Sequence, residues 1–257
     1  MPQGGPWGYR HQFNIADSGF GMRGPRVHND RAGEVGRTLS AEDFDLERIF
    51  KAEGVRILHL SGLIAALSPE TGQCCLALAR AAKEHGTRVS FDLNHRASFW
   101  KGREEELHRL FSDIAGLSDI LIGNEEDFQL CLGIHGPEAG GRDIGSKMDS
   151  FRGMIERVKQ AYPQAALFAT TLRQVESANE HLWGAILLNG QDWHVAQPRP
   201  IPILDRIGGG DGFVGGLLYG LLKGMGAEDA LHFGWATGAL ATTMVQDYAL
   251  PENEEQV

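Results

Sequence analysis

Between Val55 and Thr171 the chain alternates short runs with the two-residue period of a strand and longer runs with the period of an amphipathic helix. Few folds accept that alternation. Val55-Arg56-Ile57-Leu58-His59-Leu60 reads as a strand ending at Ser61-Gly62, expected as a turn. Pro69 then opens a helix in which Cys75, Leu78, Ala79 and Ala82 fall at i, i+3, i+4 and i+7, with Gly86 closing it. A strand over 88–93, a helix marked by Leu107, Leu110, Phe111 and Ile114, a strand at Ile120-Leu121-Ile122 and a helix start at 124–128 follow. Strand–helix–strand units of this kind imply right-handed crossovers and a parallel sheet with helices on both faces.

The flanks are read in the same way. Residues 1–40 are rich in Gly, Arg and aromatics and are expected as short strands and turns; four arginines between Arg23 and Arg37 suggest a flap that meets an anion. Ser40, with Glu42 and Asp43 after it, predicts a capped helix whose apolar side is Phe44, Leu46, Ile49 and Phe50. Residues 133–146 are expected as a loop, 147–160 as a helix and 165–171 as a strand. The runs on either side of Asn189-Gly190 predict a hairpin. Two helices are expected over 211–223 and about 227–246, then a solvated acidic tail around Glu252–Glu255.

A chain of 257 residues with 42% hydrophobic content can bury a large core, which predicts one domain over 1–257. The absence of an 18-residue apolar run or a basic, apolar leader after Met1 predicts a cytoplasmic protein with no membrane partner. A net charge of −10 disfavours nucleic acid as a partner but allows a small anion bound by local arginines. Cys74, Cys75 and Cys131 have no CxxC spacing and are read as small core residues. The ten histidines show no paired ligand spacing.

The chemistry concentrates in Asp205-Arg206-Ile207-Gly208-Gly209-Gly210-Asp211-Gly212-Phe213, between a strand end and an apolar helix. Consecutive glycines let backbone N–H groups approach a ligand, and a helix N-terminus favours a phosphate or a developing oxyanion. A carboxylate beside such a site repels phosphate, so it needs a role. Asp211 can take the proton from a substrate hydroxyl as that oxygen attacks a phosphoryl group held by the amides of Gly208, Gly209 and Gly210. The alternative is a tight turn in which Asp211 is an ordinary N-cap.

Ligands of open parallel sheets collect at the carboxyl ends of strands. That rule selects Ser61-Gly62, the run 92–96, the run 123–127 and the run 170–173. Asp92, Asn94 and Arg96 are spaced by two, so an extended chain puts them on one side, where Arg96 could hold a carboxylate. The alternative is a capped strand end.

Asp205 to Gly220 resembles the C-terminal signature of ribokinase-like, phosphofructokinase B type carbohydrate kinases, usually D-T-x-G-A-G-D-x-F-x-x-G, with Arg206 in place of Thr and Gly209 in place of Ala. Asp92-x-Asn94-x-Arg96 with Trp100, His59-x-Ser61-Gly62 through Ser68, and the segment ending at Arg31-Ala32 resemble the 2-keto-3-deoxygluconate kinases of that family. Asn29 stands where those relatives often carry an aromatic residue. The resemblance implies a three-layer α/β/α sandwich with a mostly parallel sheet and a small β lid. It implies Asp211 as catalytic base, Gly208, Gly209 and Gly210 as anion hole, and Asn29, Arg31 and Arg96, with Asp211, as substrate contacts.

Further roles follow from the resemblance alone. Asn124, Thr171, Arg173, Gly208, Gly210 and Gly238 would contact ATP, and Asn124 and Asp127, the latter replacing the Glu of N-x-x-E, would reach Mg²⁺ through water. The implied activity is ATP-dependent phosphorylation of a small sugar acid, foremost 2-keto-3-deoxygluconate. The alternatives are a neutral sugar or nucleoside, or a catalytically silent nucleotide-binding homologue. Such kinases carry an N-terminal strand, helix, Gly-Gly element and most of the lid ahead of the position of Arg31, which here follows only thirty residues. The expectation is therefore a fragment, a mispredicted start or a shortened protein, an N-terminally truncated domain with 8–38 as a remnant of lid and flap, whose exposed sheet edge would promote homodimers or aggregation.

Overall fold

The computed structural model describes residues 8–31, 33–135, 144–245, 248–249 and 251–257. In chain order its elements are β1 (Phe13–Asp17), β2 (Arg26–Asp30), β3 (Ile57–Ser61), α1 (Gly62–Leu67), α2 (Pro69–Glu84), β4 (Arg88–Asp92), α3 (Ala97–Trp100), α4 (Glu104–Ala115), β5 (Ile120–Ile122) and α5 (Glu125–Leu132). They continue as α6 (Ile144–Ala161), β6 (Leu167–Ser177), β7 (Glu180–Asn189), β8 (Asp192–Pro202), α7 (Gly209–Lys223) and α8 (Ala227–Thr242). This is the α/β class expected. Tertiary contacts divide it into two units: residues 1–15, 28–137 and 153–166, and residues 16–27, 138–152 and 167–257.

The first unit is built on the parallel ladder β3–β4–β5, in which Leu60 pairs with Phe91 and Phe91 with Leu121. Strands buried on both faces need continuous apolar runs, and Val89, Phe91, Ile120, Leu121 and Ile122 supply them. α2 starts where Pro69 fits: Ser68 accepts the Thr71 N–H at 3.1 Å while the Thr71 hydroxyl accepts the Ser68 N–H at 2.9 Å. Leu107, Leu110, Phe111 and Ile114 form the buried stripe of α4, as the spacing predicts. Cys74, Cys75 and Cys131 are buried, and burial pushes the Cys75 thiol up to about 12, which suits inert core residues.

Three local expectations change. Ser61-Gly62 is not a free turn, because Gly62 begins α1, and a Cβ there would meet the Leu93 carbonyl oxygen at 2.0 Å. Ser40 does cap a helix, but only the 3₁₀ turn Ala41–Asp43; Phe44 is extended and a π-helix, Glu47–Ala52, carries the buried Phe50. In the expected 133–146 loop, Ile144 already belongs to α6, and 136–143 lie outside the described residues.

The second unit is the antiparallel meander β6–β7–β8 with the helix pair α7 and α8. The hairpin at Asn189-Gly190 forms as expected, with Gly190 at φ 63° and Asn189 paired to Asp192. The acidic tail is exposed as expected, and within it Glu254 accepts a hydrogen bond from the Tyr219 hydroxyl and pairs with Lys223 at 3.2 Å. Among the described residues no helix is long and apolar enough to cross a membrane.

Candidate functional site

In the second unit the glycine stretch folds into the N-terminus of α7. Gly208 is the N-cap, in the left-handed region at φ 83°, and no side chain caps the helix. The helical ladder begins with Gly212 N–H donating to the Gly208 carbonyl at 2.7 Å, so the N–H groups of Gly209, Gly210 and Asp211 precede it. Asp211 is exposed at the third helical position and is not the N-cap, which removes the ordinary capping explanation for this carboxylate. Asp205 closes the approach to the turn by accepting the Ile207 N–H at 3.0 Å.

The three glycines differ in their surroundings. A Cβ at Gly210 would meet nothing within 4 Å, so the space over the helix end is open there. A Cβ at Gly209 would meet Thr242 Cγ2 at 2.9 Å and Trp183 Cη2 at 3.1 Å. The departure from Ala at this position thus has a local reason: Thr242 and Trp183 occupy the methyl's place. Gly238, expected near a nucleotide, is buried at the crossing of α7 and α8, where a Cβ would lie 2.7 Å from the Gly209 carbonyl oxygen.

Thr171 and Arg173 lie along β6. Partial desolvation of the Arg173 guanidinium, and then the charge of Arg206, lower its pKa, although Arg173 is exposed along β6. His181, 3% exposed on β7, is pushed down to about 4 by burial first and then by Arg173 and Arg206. Arg173 and Arg206 thus bring two positive charges near His181 in a chain whose net charge is −10. Arg206 was noticed in the sequence only as a departure from the family signature.

In the first unit, Asn124 caps α5. Its Oδ1 accepts the Asp127 N–H at 2.9 Å, while the Asp127 oxygens accept the Asn124 N–H at 2.9 Å and the His95 N–H at 2.9 Å. Burial raises the pKa of Asp127, against the lowering effect of those two amides. A carboxylate buried with an amide on each oxygen does not fit direct ligation of a divalent cation. Its visible work is to tie the 92–96 segment to the start of α5.

Asn94 has φ 36°, so the chain turns there and the extended face expected for Asp92, Asn94 and Arg96 does not form. Asn94 Nδ2 donates to Ser61 Oγ at 3.3 Å, and exposed Arg96 donates Nη1 to the His95 carbonyl at 2.8 Å. Asn29 is exposed on β2, whereas Arg31 is largely covered and pairs with Glu34 at 3.1 Å. Glu34 was not singled out in the sequence, and its only signal there is the i,i+3 spacing from Arg31.

The first unit is thus a parallel α/β unit, and the second carries a glycine-opened helix with a carboxylate in its first turn. The chain belongs to the pfkB family of carbohydrate kinases, whose model matches residues 37–253. It is 28% identical over 227 residues to 5-dehydro-2-deoxygluconokinase of Clostridium tetani, covering 88% of this chain and 60% of that protein. It thus spans less than two thirds of that relative's length. The 2-dehydro-3-deoxygluconokinase structure from Thermotoga maritima superposes with a TM-score of 0.85 at 30% identity, over 96% of this chain and 73% of that one. A ribokinase II structure from E. coli, in complex with ATP and Mg²⁺, shares the fold with a TM-score of 0.65 at 20% identity, over 87% of this chain and 63% of that one.

Proposed function

We propose that this chain carries the phosphoryl-transfer chemistry of a sugar-acid kinase, with ATP as donor and 2-keto-3-deoxygluconate as the foremost acceptor. The observation that carries the reading is the α7 N-terminus: amides ahead of the helical ladder, open space over Gly210, and an exposed carboxylate that caps nothing. ATP supplies the γ-phosphoryl group. Asp211 removes the proton from the acceptor hydroxyl, which raises that oxygen's nucleophilicity. The amides of Gly208, Gly209 and Gly210 donate to phosphoryl oxygens as charge builds on them. Arg173 and Thr171 are assigned to the donor phosphates by their place in the family motif.

Arg31 and Arg96 are assigned to the acid group, for which a guanidinium offers two parallel donors. The two kinases at 28% and 30% identity are named for different dehydro-deoxygluconates, and what those substrates share is a carboxylate. Asn124 and Asp127 would reach Mg²⁺ through water, and the ion would offset charge on the donor phosphates; no step is assigned to that pair. The test is ADP release by the purified chain with Mg-ATP and a panel of acids and neutral sugars. Arg96→Met raises KM for 2-keto-3-deoxygluconate about tenfold or more and leaves a neutral acceptor unchanged. An equal effect on both acceptors would overturn the assignment of the acid group.

A further inference from the structure

Arg31 is held in an unusual way for a residue assigned to bind an anion. Its side chain is 16% exposed and that of Glu34 11%, so this is a mostly desolvated ion pair. Nη1 of Arg31 donates to both Glu34 oxygens, at 3.1 and 3.2 Å, so the carboxylate clasps a single nitrogen and does not take the two-nitrogen fork. The Arg31 guanidinium also lies over the Phe99 ring, 5.8 Å from its centre.

The Phe99 platform is itself fixed. Arg37 sits over the same ring at 5.7 Å, donates Nη1 to the Leu67 carbonyl, and has its own carbonyl bonded by Ser68 Oγ at 2.7 Å. The neighbouring Trp100 is buried and packs against His95, His108 and Phe111 with ring centres 5.0–5.1 Å apart.

We propose that Glu34 and Phe99 are positioning residues that fix the Arg31 guanidinium for a sugar-acid carboxylate; this rests on the functional reading above. Glu34 lowers the cost of keeping Arg31 desolvated, while Phe99 fixes the plane of its fork. An Arg ordered beforehand loses less side-chain freedom when the acid arrives.

Calorimetric titration of 2-keto-3-deoxygluconate into the full chain tests this, with ATP titrated into each variant as a control. Glu34→Gln and Phe99→Leu should each weaken acid binding about tenfold, as Arg31→Met does, with ATP binding unchanged. Acid binding at wild-type strength in Glu34→Gln and Phe99→Leu, with Arg31→Met weakened, would overturn the inference and leave the function standing. Tighter acid binding in Glu34→Gln would also overturn it, since Glu34 would then be a competitor. If Glu34→Gln does not fold, Phe99→Leu decides. No acid binding by the wild-type chain would overturn the functional reading and this inference together.

Discussion

The carbonyl oxygen of Gly209 lies where a side chain at Gly238 would have to begin: a Cβ on Gly238 would come within 2.7 Å of it. Gly209 carries one of the amides assigned to the transferring phosphoryl group, so α8 buttresses the turn proposed to bind that group. The crossing continues at Gly216, whose Cβ would lie 2.5 Å from Thr237 Oγ1, and at Gly234, whose Cβ would lie 2.8 Å from the Phe213 carbonyl oxygen. Glycine is required along this seam by proximity and not by backbone angle.

Gly238→Ala should therefore destabilise the chain by about 1–3 kcal/mol, the usual cost of overpacking a tight interior. Gly209→Ala should cost less, because its new methyl meets the Thr242 and Trp183 side chains and not a backbone oxygen. Thermal unfolding of the two variants checks the order; a higher Tm for Gly238→Ala than for Gly209→Ala would contradict it.

Gly210→Ala separates packing from chemistry. Its Cβ would meet no atom, and alanine suits a helix better than glycine, so Tm should hold or rise slightly. The methyl would nevertheless stand in the space assigned to the phosphoryl group. ADP release should fall about tenfold or more, in the range of losing one stabilising donor or displacing its ligand. Unchanged turnover would show that the space over Gly210 is not used.

His181 gives the second unit an acid-side weakness. Its folded pKa, about 4, lies below the ordinary histidine value of 6.5, so between those two pH values the unfolded chain binds the extra proton. Stability should be complete above about pH 6.5 and fall as pH drops toward 4, by up to about 3 kcal/mol. His181→Gln should flatten that part of the curve in denaturant melts from pH 7 to pH 4. A wild-type and variant pair with identical pH profiles would contradict the assignment.

Much of this was legible in local pattern. Ser68-Pro69 with Thr71, the stripe Leu107, Leu110, Phe111 and Ile114, and the Asn189-Gly190 hairpin are set by neighbours in the chain, and the structure follows them. The glycine stretch likewise marked the turn that opens α7. What was hidden depends on distant partners. Gly238 is explained by Gly209, the alternation at Asp92, Asn94 and Arg96 is broken by a positive φ at Asn94, and Asp127 is committed to the His95 amide 32 residues away. The 41–52 run carries helical spacing yet splits at Phe44, and nothing in its apolar pattern marks that break.

The central claim is that Asp211 is the base at a phosphoryl-binding helix end, and Asp211→Asn measures it most directly. The exchange keeps size and leaves the turn's backbone untouched. With Mg-ATP and 2-keto-3-deoxygluconate, wild-type chain should release ADP, and Asp211→Asn should lower kcat by roughly 10²–10⁴-fold with ATP affinity and Tm unchanged. Equal turnover by the variant, or no ADP from a wild-type chain that binds ATP, would contradict the account.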